Sequence, residues 1–563
     1  MLALLGALAA IGLVTAGCSS DDASASGDGS AVEVSVTQEP DPEMVLGTTL
    51  VVQTDRDARV AVAAEADAHA VELPVTAEKS TSHTIALVGL RPEGDYAITV
   101  DAVGDDGQVL GTATTEFRSG ALPEFVPDLD QRVSEPDARA DGVTFVEIGP
   151  VDRAGYEDGE DPLAVQHVVA LDDEGEVVWY SAPQGAIGDV KLTDRGTILS
   201  VDFPFAVRET DLMGNVLHYW GAQGQPMPWT DLEAVADADG EPAIERPDPT
   251  LVTADWVDIR SFHHEAFPMP DGNILALATT LHELTPGQRA ELCPGDGEDF
   301  WAISDVAVEF TPAGEVLRTW DLWDVIDLME TPGEEMCTTY GQIATQIERD
   351  WGHGNAVVYD AERDAVIVST RHTSQIVAMA HGEEDGAQDQ LLWTIGTDGT
   401  IPLDGDVPRY QHAVEVEDDG SILFYDNGNG REGTAPGTDN PPYSRAALFA
   451  VDDSSDDPSD WSATQTWEHR ADESPGTPVF ASFVGDADRL ENGNVLIDHG
   501  GIPHPNPTDD HNRCMIIEVV PDGSDSGGEI VWDLRIGTAE RPVLCYRAHH
   551  YPSLYTGPQW EGD

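Results

Sequence analysis

The chain has 563 residues, of which 106 are Asp or Glu and only 27 are Lys or Arg, so its formal charge is −79 at pH 7. Nucleic-acid binding is excluded, because affinity for phosphate backbones depends on Lys and Arg. Wholesale disorder is excluded as well, since 40% of the residues are hydrophobic and 13 are Trp. Such a charge is typical of a solvated surface outside the cytoplasm or in salt, and it carries no information on the fold.

The N-terminus predicts export. Residues 2–16 are apolar and end at Gly17-Cys18, a length that suits a signal peptide better than a membrane span. Small residues directly before a cysteine resemble a bacterial lipobox, so we expect residues 1–18 to be a signal peptide and Cys18 to carry a lipid. The alternative is a plain signal peptide. We therefore expect a periplasmic or cell-surface lipoprotein, held at a bacterial membrane only by this lipid, with residues 19–33 as a flexible tether.

Four further cysteines predict disulfides, because an even number is typical of exported chains. Three pairings are possible. We favour Cys293 with Cys337 and Cys514 with Cys545, since each pair brackets one local excursion of the chain. None of the four has the CxxC spacing of a structural zinc site.

Residues 34–118 are predicted to form a small β-sandwich, because short alternating apolar runs recur there. The stretch from Ile85 to Val103 resembles a fibronectin type III domain near its tyrosine corner, with Tyr96 leading a strand. We interpret this Ig/fibronectin III-like domain as a spacer. Residues 119–140, which contain several Pro and Asp, are expected to be a linker.

A degenerate repeat occupies residues 141–563 and predicts a β-propeller. One half of the repeat is a turn followed by an apolar strand, and the other half is a strand that ends in Trp. The turn strands contain Ile198, Ile274, Ile422 and Val495, with a looser copy at Ile367, and the Trp strands end at Trp179, Trp220, Trp320, Trp393, Trp467 and Trp532. Six Trp strands predict an all-β, six-bladed propeller whose first blade is completed from both termini. Helix is expected only at 322–330 and 342–350.

The repeat also predicts where histidines meet. His264 and His412 each precede the apolar position of their turn strand by ten residues, so they occupy equivalent places in two blades. Innermost propeller strands run along a central channel, and equivalent positions therefore converge near its axis. A third blade offers His353 and Asn355 at the start of its strand, and Arg371 just beyond the next one. A single histidine there is more often structural, but the coincidence in three blades favours a functional site.

Five segments resemble the bacterial arylsulfate sulfotransferases (ASST family), and the resemblance covers roughly residues 160–556. They are Phe262–Glu265 with Asp271–Leu275, Trp351–Asn355 with Ser369–Arg371, Tyr410–His412 with Ile422–Gly428, Gly485–Asn494, and Cys545–Tyr555. The resemblance implies an exported six-bladed propeller preceded by a β-sandwich. It also implies PAPS-independent sulfuryl transfer from a small phenolic sulfate ester to a phenol, without cofactor or metal.

The resemblance carries roles to individual residues. It implies that His412 is the nucleophile, and that His264, His353, Asn355 and Arg371 bind the sulfate and supply acid and base. Which of His264 and His353 is the acid/base stays open.

A threonine that helps to bind the sulfuryl group in the family has no secure counterpart here. Thr477 and Ser482 both lie near the expected place.

The residue types agree with this chemistry. An anionic sulfate ester needs cationic donors, and the guanidinium of Arg371 offers a planar fork to two of its oxygens. A neutral His412 would attack sulfur and form N-sulfohistidine, which a phenol would then resolve in ping-pong kinetics.

Two other functions stay open. Three propeller histidines can hold a metal with an open position, which would give a metal-dependent lyase or hydrolase. Arg371 and Asn355 argue against that reading, because a cation site has no use for a guanidinium. The other alternative is a non-catalytic cell-surface binding propeller.

Overall fold

In a computed structural model, the structure describes residues 31–67, 69–149, 166–181, 187–223, 253–331, 333, 335–337, 341–343, 346–382, 391–503, 512–538, 541–557 and 561–562. The predicted signal peptide, with Cys18, and most of the tether lie outside the described residues. The regular secondary structure of the described part is almost entirely β-strand, which confirms the predicted all-β fold class. No helix in this part of the chain is long and apolar enough to cross a membrane.

The N-terminal sandwich is built around one long strand, Thr48–Ala66. Its first half pairs with Ser80–Leu87 and its second half with Asp95–Val103, so it belongs to both layers. The backbone N–H of Arg91 donates to the Tyr96 hydroxyl at 2.9 Å, which is the contact of a tyrosine corner. The remaining strands of this unit are Val34–Glu39, His69–Glu72, Val109–Arg118 and the short Glu561–Gly562.

Six four-stranded antiparallel sheets follow, and their innermost strands contact one another in a closed ring. From the channel outward, the blades consist of Leu544–Tyr551, Val143–Gly149, His167–Leu171 and Val177–Tyr180 (first); Ile187–Leu192, Ile198–Asp202, Ala206–Thr210 and Val216–Ala222 (second); Phe262–Pro268, Ile274–Glu283, Phe300–Phe310 and Val316–Asp321 (third); Gly354–Asp360, Ala365–Thr370, Gln375–Ala380 and Leu391–Gly396 (fourth); His412–Val416, Ile422–Asp426, Arg445–Asp452 and Ser462–His469 (fifth); and Asp486–Arg489, Val495–Pro503, Asn512–Val520 and Glu529–Ile536 (sixth).

Several shorter strands extend the blades or stand beside them. They are Thr253–Val257 on the second blade, Gly341–Ile343 and Gln346–Asp350 on the third, Leu403–Asp404 on the fifth, Leu129–Ser134 on the sixth, and a separate hairpin of Asp472–Ser474 and Thr477–Pro478.

Both ends of the chain close the ring. The C-terminal strand Leu544–Tyr551 is the innermost strand of the first blade, whereas Leu129–Ser134 joins the outer edge of the sixth. A disulfide between Cys514 and Cys545, with Cα atoms 5.8 Å apart, links these two blades. Cys293 and Cys337 form the second disulfide, so the structure contains both of the favoured pairings. A cross-link of this kind stabilises a fold by about 2–4 kcal/mol.

The repeated Trp is explained by contacts between blades. Five of the six donate their indole N–H to an acceptor in the following blade, and the sixth donates to a residue of the N-terminal strand that joins its own blade. The pairs are Trp179 with the Leu212 carbonyl, Trp220 with Pro312, Trp320 with Ala380, Trp393 with the Asp453 carboxylate, Trp467 with the Gly527 carbonyl and Trp532 with the Gln131 amide oxygen. A buried Trp needs a partner for its N–H, so in five of the six repeats this bond joins one blade to the next.

The helix predictions were only partly right. A single turn, Leu322–Val325, forms where 322–330 was expected to be helical. The expected helix at 342–350 is wrong, because its described residues are strands that continue the third blade by pairing with Phe300–Phe310. One helix was missed, Pro286–Leu292, whose capping box is formed by Thr285 and Gln288.

The large negative charge predicts that the fold depends on salt. Repulsion between surface carboxylates destabilises the compact state, and raising NaCl from about 0.1 M to about 1 M shortens the screening length from about 10 Å to about 3 Å. We expect the melting temperature to rise by several degrees over that range in a thermal unfolding experiment. Sucrose at equal osmolality is the control. A melting temperature that sucrose raises as much as NaCl does would contradict the electrostatic origin.

Candidate active site

The innermost strands are bent where they begin, which directs side chains into the channel. In five blades a register shift interrupts the pairing of the innermost strand, and such bulges re-aim side chains. The shifts lie between Ile187 and Val190, His263 and Ala266, Gly354 and Ala356, His412 and Val414, and Cys545 and Ala548.

Backbone strain is concentrated at the same place. Nine non-glycine residues of the described chain have positive φ, and five of them are channel histidines or lie next to one. These five are His264, His353, Tyr410, Ala413 and Val484, with φ between 47° and 56°. A left-handed conformation is unfavourable for most side chains, and above all for the β-branched Val484. Strained residues persist where the surrounding structure fixes them, and they cluster at functional sites.

His412 is held in one tautomer. Its Nδ1 lies 2.6 Å from Oδ1 of Asn427. The Asn427 amide nitrogen donates to the carbonyls of Ala481 and Val484, which fixes Oδ1 as the acceptor from His412. The Nδ1 of His412 therefore carries the proton, and Nε2 keeps its lone pair, which accepts the Val484 N–H at 3.3 Å.

The surroundings also keep His412 neutral. Its side chain is buried, and burial together with the Arg371 guanidinium holds its pKa well below the ordinary value. A neutral imidazole with a fixed lone pair on Nε2 is the form that a nucleophile requires.

His353, in contrast to His412, is bound to a carboxylate and has a raised pKa. Its Nδ1 lies 2.5 Å from a carboxylate oxygen of Asp350. Burial lowers the pKa of His353, but the Asp350 carboxylate outweighs that effect and raises the pKa above its ordinary value. The ring of His353 stacks on His372 at 4.6 Å and meets His264 edge-on at 5.0 Å. This histidine is suited to give up a proton from Nε2.

Arg371 reaches the same volume from the fourth blade. Its guanidinium lies 4.7 Å above the Tyr410 ring and donates to the Ser482 carbonyl at 3.3 Å. A second nitrogen of the guanidinium bonds the Glu335 carboxylate at 3.2 Å. Among the two alternatives for the family threonine, Ser482 therefore lies beside Arg371, whereas Thr477 is an exposed residue of the separate hairpin.

Asn355 connects the fourth blade to the residue that precedes His412. Its amide nitrogen donates to the carbonyl of Gln411, the residue before His412, at 2.8 Å. Its own backbone carbonyl accepts from Arg547 at 2.7 Å, and its side chain is fully buried. The structure therefore gives Asn355 a bracing contact to the His412 strand, and the sulfate contact that the resemblance implies stays a prediction.

Glycine is required where a neighbouring blade approaches. A Cβ on Gly188 of the second blade would lie 2.4 Å from the backbone carbonyl of His264. A Cβ on Gly485, which occupies the histidine position in the sixth blade, would lie 2.6 Å from the Tyr425 ring. Any larger residue at these positions would push the innermost strands apart.

One group at this site has the donor set of a metal centre. Ligand atoms of Asp350, His353 and His372 lie within 4.8 Å of one another. The Nδ1 of His353 is already engaged by Asp350, and the Arg371 guanidinium is close enough to lower the pKa of His372, which burial and His353 bring to about 4. A nearby guanidinium disfavours a bound cation, so the set fits a metal poorly.

Sequence reasoning missed the partners that orient the histidines. Asn427, Asp350 and His263 contact His412, His353 and His264, respectively. Asn427 directly follows the turn strand of the fifth blade, Ile422–Asp426, and a polar residue at that point was the available signal.

Comparisons with known proteins agree with the resemblance. The sequence model of the family described as Arylsulfotransferase (ASST) matches residues 141–547. The arylsulfate sulfotransferase AssT of Lelliottia amnigena is 27% identical over 204 residues, which cover 28% of this chain and 34% of that protein. AssT of Escherichia coli O6:H1 (strain CFT073) is 24% identical over 289 residues, which cover 43% of this chain and 45% of that protein. The chain thus spans between a third and a half of the length of these relatives.

Among solved structures, an auxiliary nutrient binding protein from Bacteroides ovatus is similar with a TM-score of 0.28 and 10% identity, over 90% of this chain and 89% of that one. A score this low carries no argument. The family match, in contrast, covers most of the chain and includes the five residues singled out in the sequence. The chain belongs to the arylsulfotransferase (ASST) family.

Proposed function

We propose that the protein is an aryl-sulfate sulfotransferase that moves a sulfuryl group from a phenolic sulfate ester to a phenol without a nucleotide donor. The observation that carries the proposal is the fixed tautomer of His412, whose Nε2 lone pair lies in the same volume as the Arg371 guanidinium. The family match supports this class of substrate.

In the first half-reaction, Nε2 of His412 forms a bond to sulfur and the bond between sulfur and the aryl oxygen breaks. Arg371 binds the sulfuryl oxygens, whose charge its planar fork complements. The leaving phenolate takes a proton from Nε2 of His353, which the Asp350 carboxylate keeps charged. The product is N-sulfohistidine at His412. An acceptor phenol then attacks the same sulfur and frees His412, so the kinetics are ping-pong.

The direct test is nitrophenol release from 4-nitrophenyl sulfate, with and without added phenol and before and after chelator treatment. We expect a burst of nitrophenol without phenol, steady release only with phenol, and no effect of the chelator. Steady release that needs a metal and no phenol would instead show a hydrolase. Absence of any release, with this and with other aryl sulfates, would favour a binding propeller.

The acid role of His353 predicts a pH dependence. The Asp350 carboxylate raises the pKa of His353 above its ordinary value, so the protonated form is favoured at low pH and is lost as the pH rises through the raised value. With phenyl sulfate, whose leaving group needs a proton, the rate of the first half-reaction should fall as the pH rises through the raised pKa of His353. With 4-nitrophenyl sulfate, a better leaving group, the rate should change much less. Stopped-flow profiles of both donors provide the comparison, and identical profiles would contradict the acid role.

A metal-dependent lyase or hydrolase is the alternative: Asp350, His353 and His372 present ligand atoms close together, but the nearby Arg371 guanidinium disfavours a bound cation. Metal analysis of the purified protein separates the two candidates. Stoichiometric zinc, lost together with activity on chelation, would favour the hydrolase.

We also propose that the protein is exported and carries a lipid on Cys18. The two disulfides support export, because such bonds persist in oxidising compartments. Intact-mass analysis of protein from membranes should show the lipid, and Cys18→Ala should move the protein to the soluble fraction. An unmodified Cys18 in protein from membranes would refute the anchor.

A further inference from the structure

A carboxylate of the protein itself lies on the guanidinium of Arg371, which the proposed function assigns to the sulfuryl group. Oε1 of Glu335 accepts from Nη1 of Arg371 at 3.2 Å, and its other carboxylate oxygen lies 3.5 Å from Nε2 of His372. Nη2 of Arg371 donates to the Ser482 carbonyl at 3.3 Å. A guanidinium fork suits carboxylates and tetrahedral oxyanions alike. Glu335 and a sulfate ester therefore compete for the same donor.

The backbone that carries Glu335 is anchored on both sides. Before it, the Thr331 carbonyl accepts the indole N–H of Trp351 at 2.9 Å. After it, Met336 is buried in the hydrophobic cluster that also contains Trp351, and Cys337 is fixed by its disulfide. The backbone of Glu335 is therefore held beside the guanidinium.

The side chain of Glu335, in contrast, is able to leave. It is 44% exposed, whereas the side chain of Arg371 is 12% exposed. An ion pair with so exposed a partner contributes little stability, and the side-chain torsions of a glutamate can turn its carboxylate into solvent without any movement of the backbone. A fixed backbone with a movable carboxylate has the geometry of an internal competitor, which leaves when a stronger ligand binds and returns when the site empties.

This competitor acts differently on the two kinds of sulfate that can reach the site. Inorganic sulfate is a dianion without an aryl group, whereas the donor ester is a monoanion whose ring buries apolar surface when it binds. The need to displace Glu335 lowers the apparent affinity of both ligands. The displaced carboxylate stays close and repels the dianion more strongly than the monoanion. Only the ester has aryl contacts that offset this cost.

We infer that Glu335 is a specificity-determining residue, which occupies the Arg371 guanidinium before the donor binds and keeps inorganic sulfate away from it. The inference rests on the proposed sulfuryl transfer and deepens it, because it explains how a site built for a sulfate ester discriminates against the free anion. Binding of the donor turns the Glu335 carboxylate out, and the emptied site takes it back.

The test compares Glu335→Gln, which keeps the size of the side chain and removes its charge, with Glu330→Gln. Glu330 is an exposed carboxylate in the same excursion of the chain, so the control changes the net charge by the same unit. Sodium sulfate is titrated into each protein at constant ionic strength in a calorimeter. For Glu335→Gln we expect the Kd for sulfate to fall about tenfold, the factor for a guanidinium that Glu335 occupies for about 90% of the time.

Glu330→Gln should bind sulfate as the wild type does. An unchanged Kd for sulfate in a folded Glu335→Gln protein would overturn the inference. An equal fall of the Kd in Glu330→Gln would overturn it as well, because net charge would then be the cause.

The burst of nitrophenol gives the second comparison. In Glu335→Gln the concentration of 4-nitrophenyl sulfate that gives half the maximal burst rate should fall, but by a smaller factor than the Kd for sulfate. The maximal burst rate should not change, because Glu335 has already left the guanidinium when the donor is bound. An equal gain for both ligands, or a lower maximal burst rate, would contradict a role in specificity. If the wild type shows no burst, the proposed function fails, whereas the sulfate titration still decides whether Glu335 occupies an anion site.

Discussion

Replacing His412 with alanine is expected to lower sulfuryl transfer by at least about 10³-fold, because the variant loses the nitrogen whose lone pair is fixed by Asn427 and whose ring is kept neutral by burial and the Arg371 guanidinium. The burst of nitrophenol should disappear together with turnover, since both require the histidine. The fold should persist, because the removed ring contacts the Asn427 side chain and the Val484 N–H but belongs to none of the hydrophobic clusters between blades. Burst amplitude and thermal unfolding measure the two effects.

Chemical rescue provides the control for this variant. Free imidazole can enter the space that the ring leaves and attack the donor, so it should restore part of the nitrophenol release to His412→Ala. Retained turnover without imidazole, in protein of the correct mass, would contradict the assignment of His412 as the nucleophile.

The second large effect is expected from Asp350→Asn, and it depends on the leaving group. An asparagine no longer holds the charge on His353, so phenyl sulfate, whose phenolate needs a proton, should react about 10²- to 10³-fold more slowly. With 4-nitrophenyl sulfate the loss should stay within about tenfold, because that phenolate leaves without an acid. Burst rates for the two donors give the ratio directly.

Asp305 offers a matched control for Asp350→Asn. It is a buried carboxylate close to the same histidines, but its pKa is raised to about 7 by burial and by the charge on Asp350. Asp305 also raises the pKa of His353, but less than Asp350 does, so Asp305→Asn should slow phenyl sulfate by a clearly smaller factor than Asp350→Asn. A uniform loss with both donors in Asp350→Asn would show that Asp350 only supports the local structure.

The fold could be predicted because its repeat has a physical cause that is visible as recurring residue types in the sequence. Each Trp strand ends in a side chain that must find an acceptor, and in five blades the next blade supplies it. The turn strands contain apolar residues that pack between blades. The Trp strands and the apolar turn strands recur at similar places, so the number of blades could be counted.

The short connections were harder to predict. Residues 342–350 were predicted to be helical, but residues 346–350 are held as a strand by pairing with Phe300–Phe310 far away in sequence. Long-range pairing of this kind overrides local preference. The helix Pro286–Leu292, in contrast, had a local signal in the capping box of Thr285 and Gln288.

The candidate site, like the fold, could be predicted from the sequence only in part. His264 and His412 could be found because equivalent positions of a propeller converge on the channel, and the structure brings them together with His353 and Arg371. The tautomer of His412 could not be found, because it depends on one hydrogen bond, which the ring donates to Asn427. Register shifts at the start of the innermost strands decide which side chains face the channel, and they leave no pattern in the sequence.

The measurement that tests the central claim most directly is the mass of the protein after mixing with 4-nitrophenyl sulfate in the absence of a phenol. We expect the intact mass to increase by one SO₃ group, with the modification mapped to His412 by fragmentation and lost when phenol is added. His412→Ala should show no increase. Sustained phenol-dependent transfer without any modified protein, or a sulfuryl group mapped to another residue, would contradict a sulfohistidine at His412.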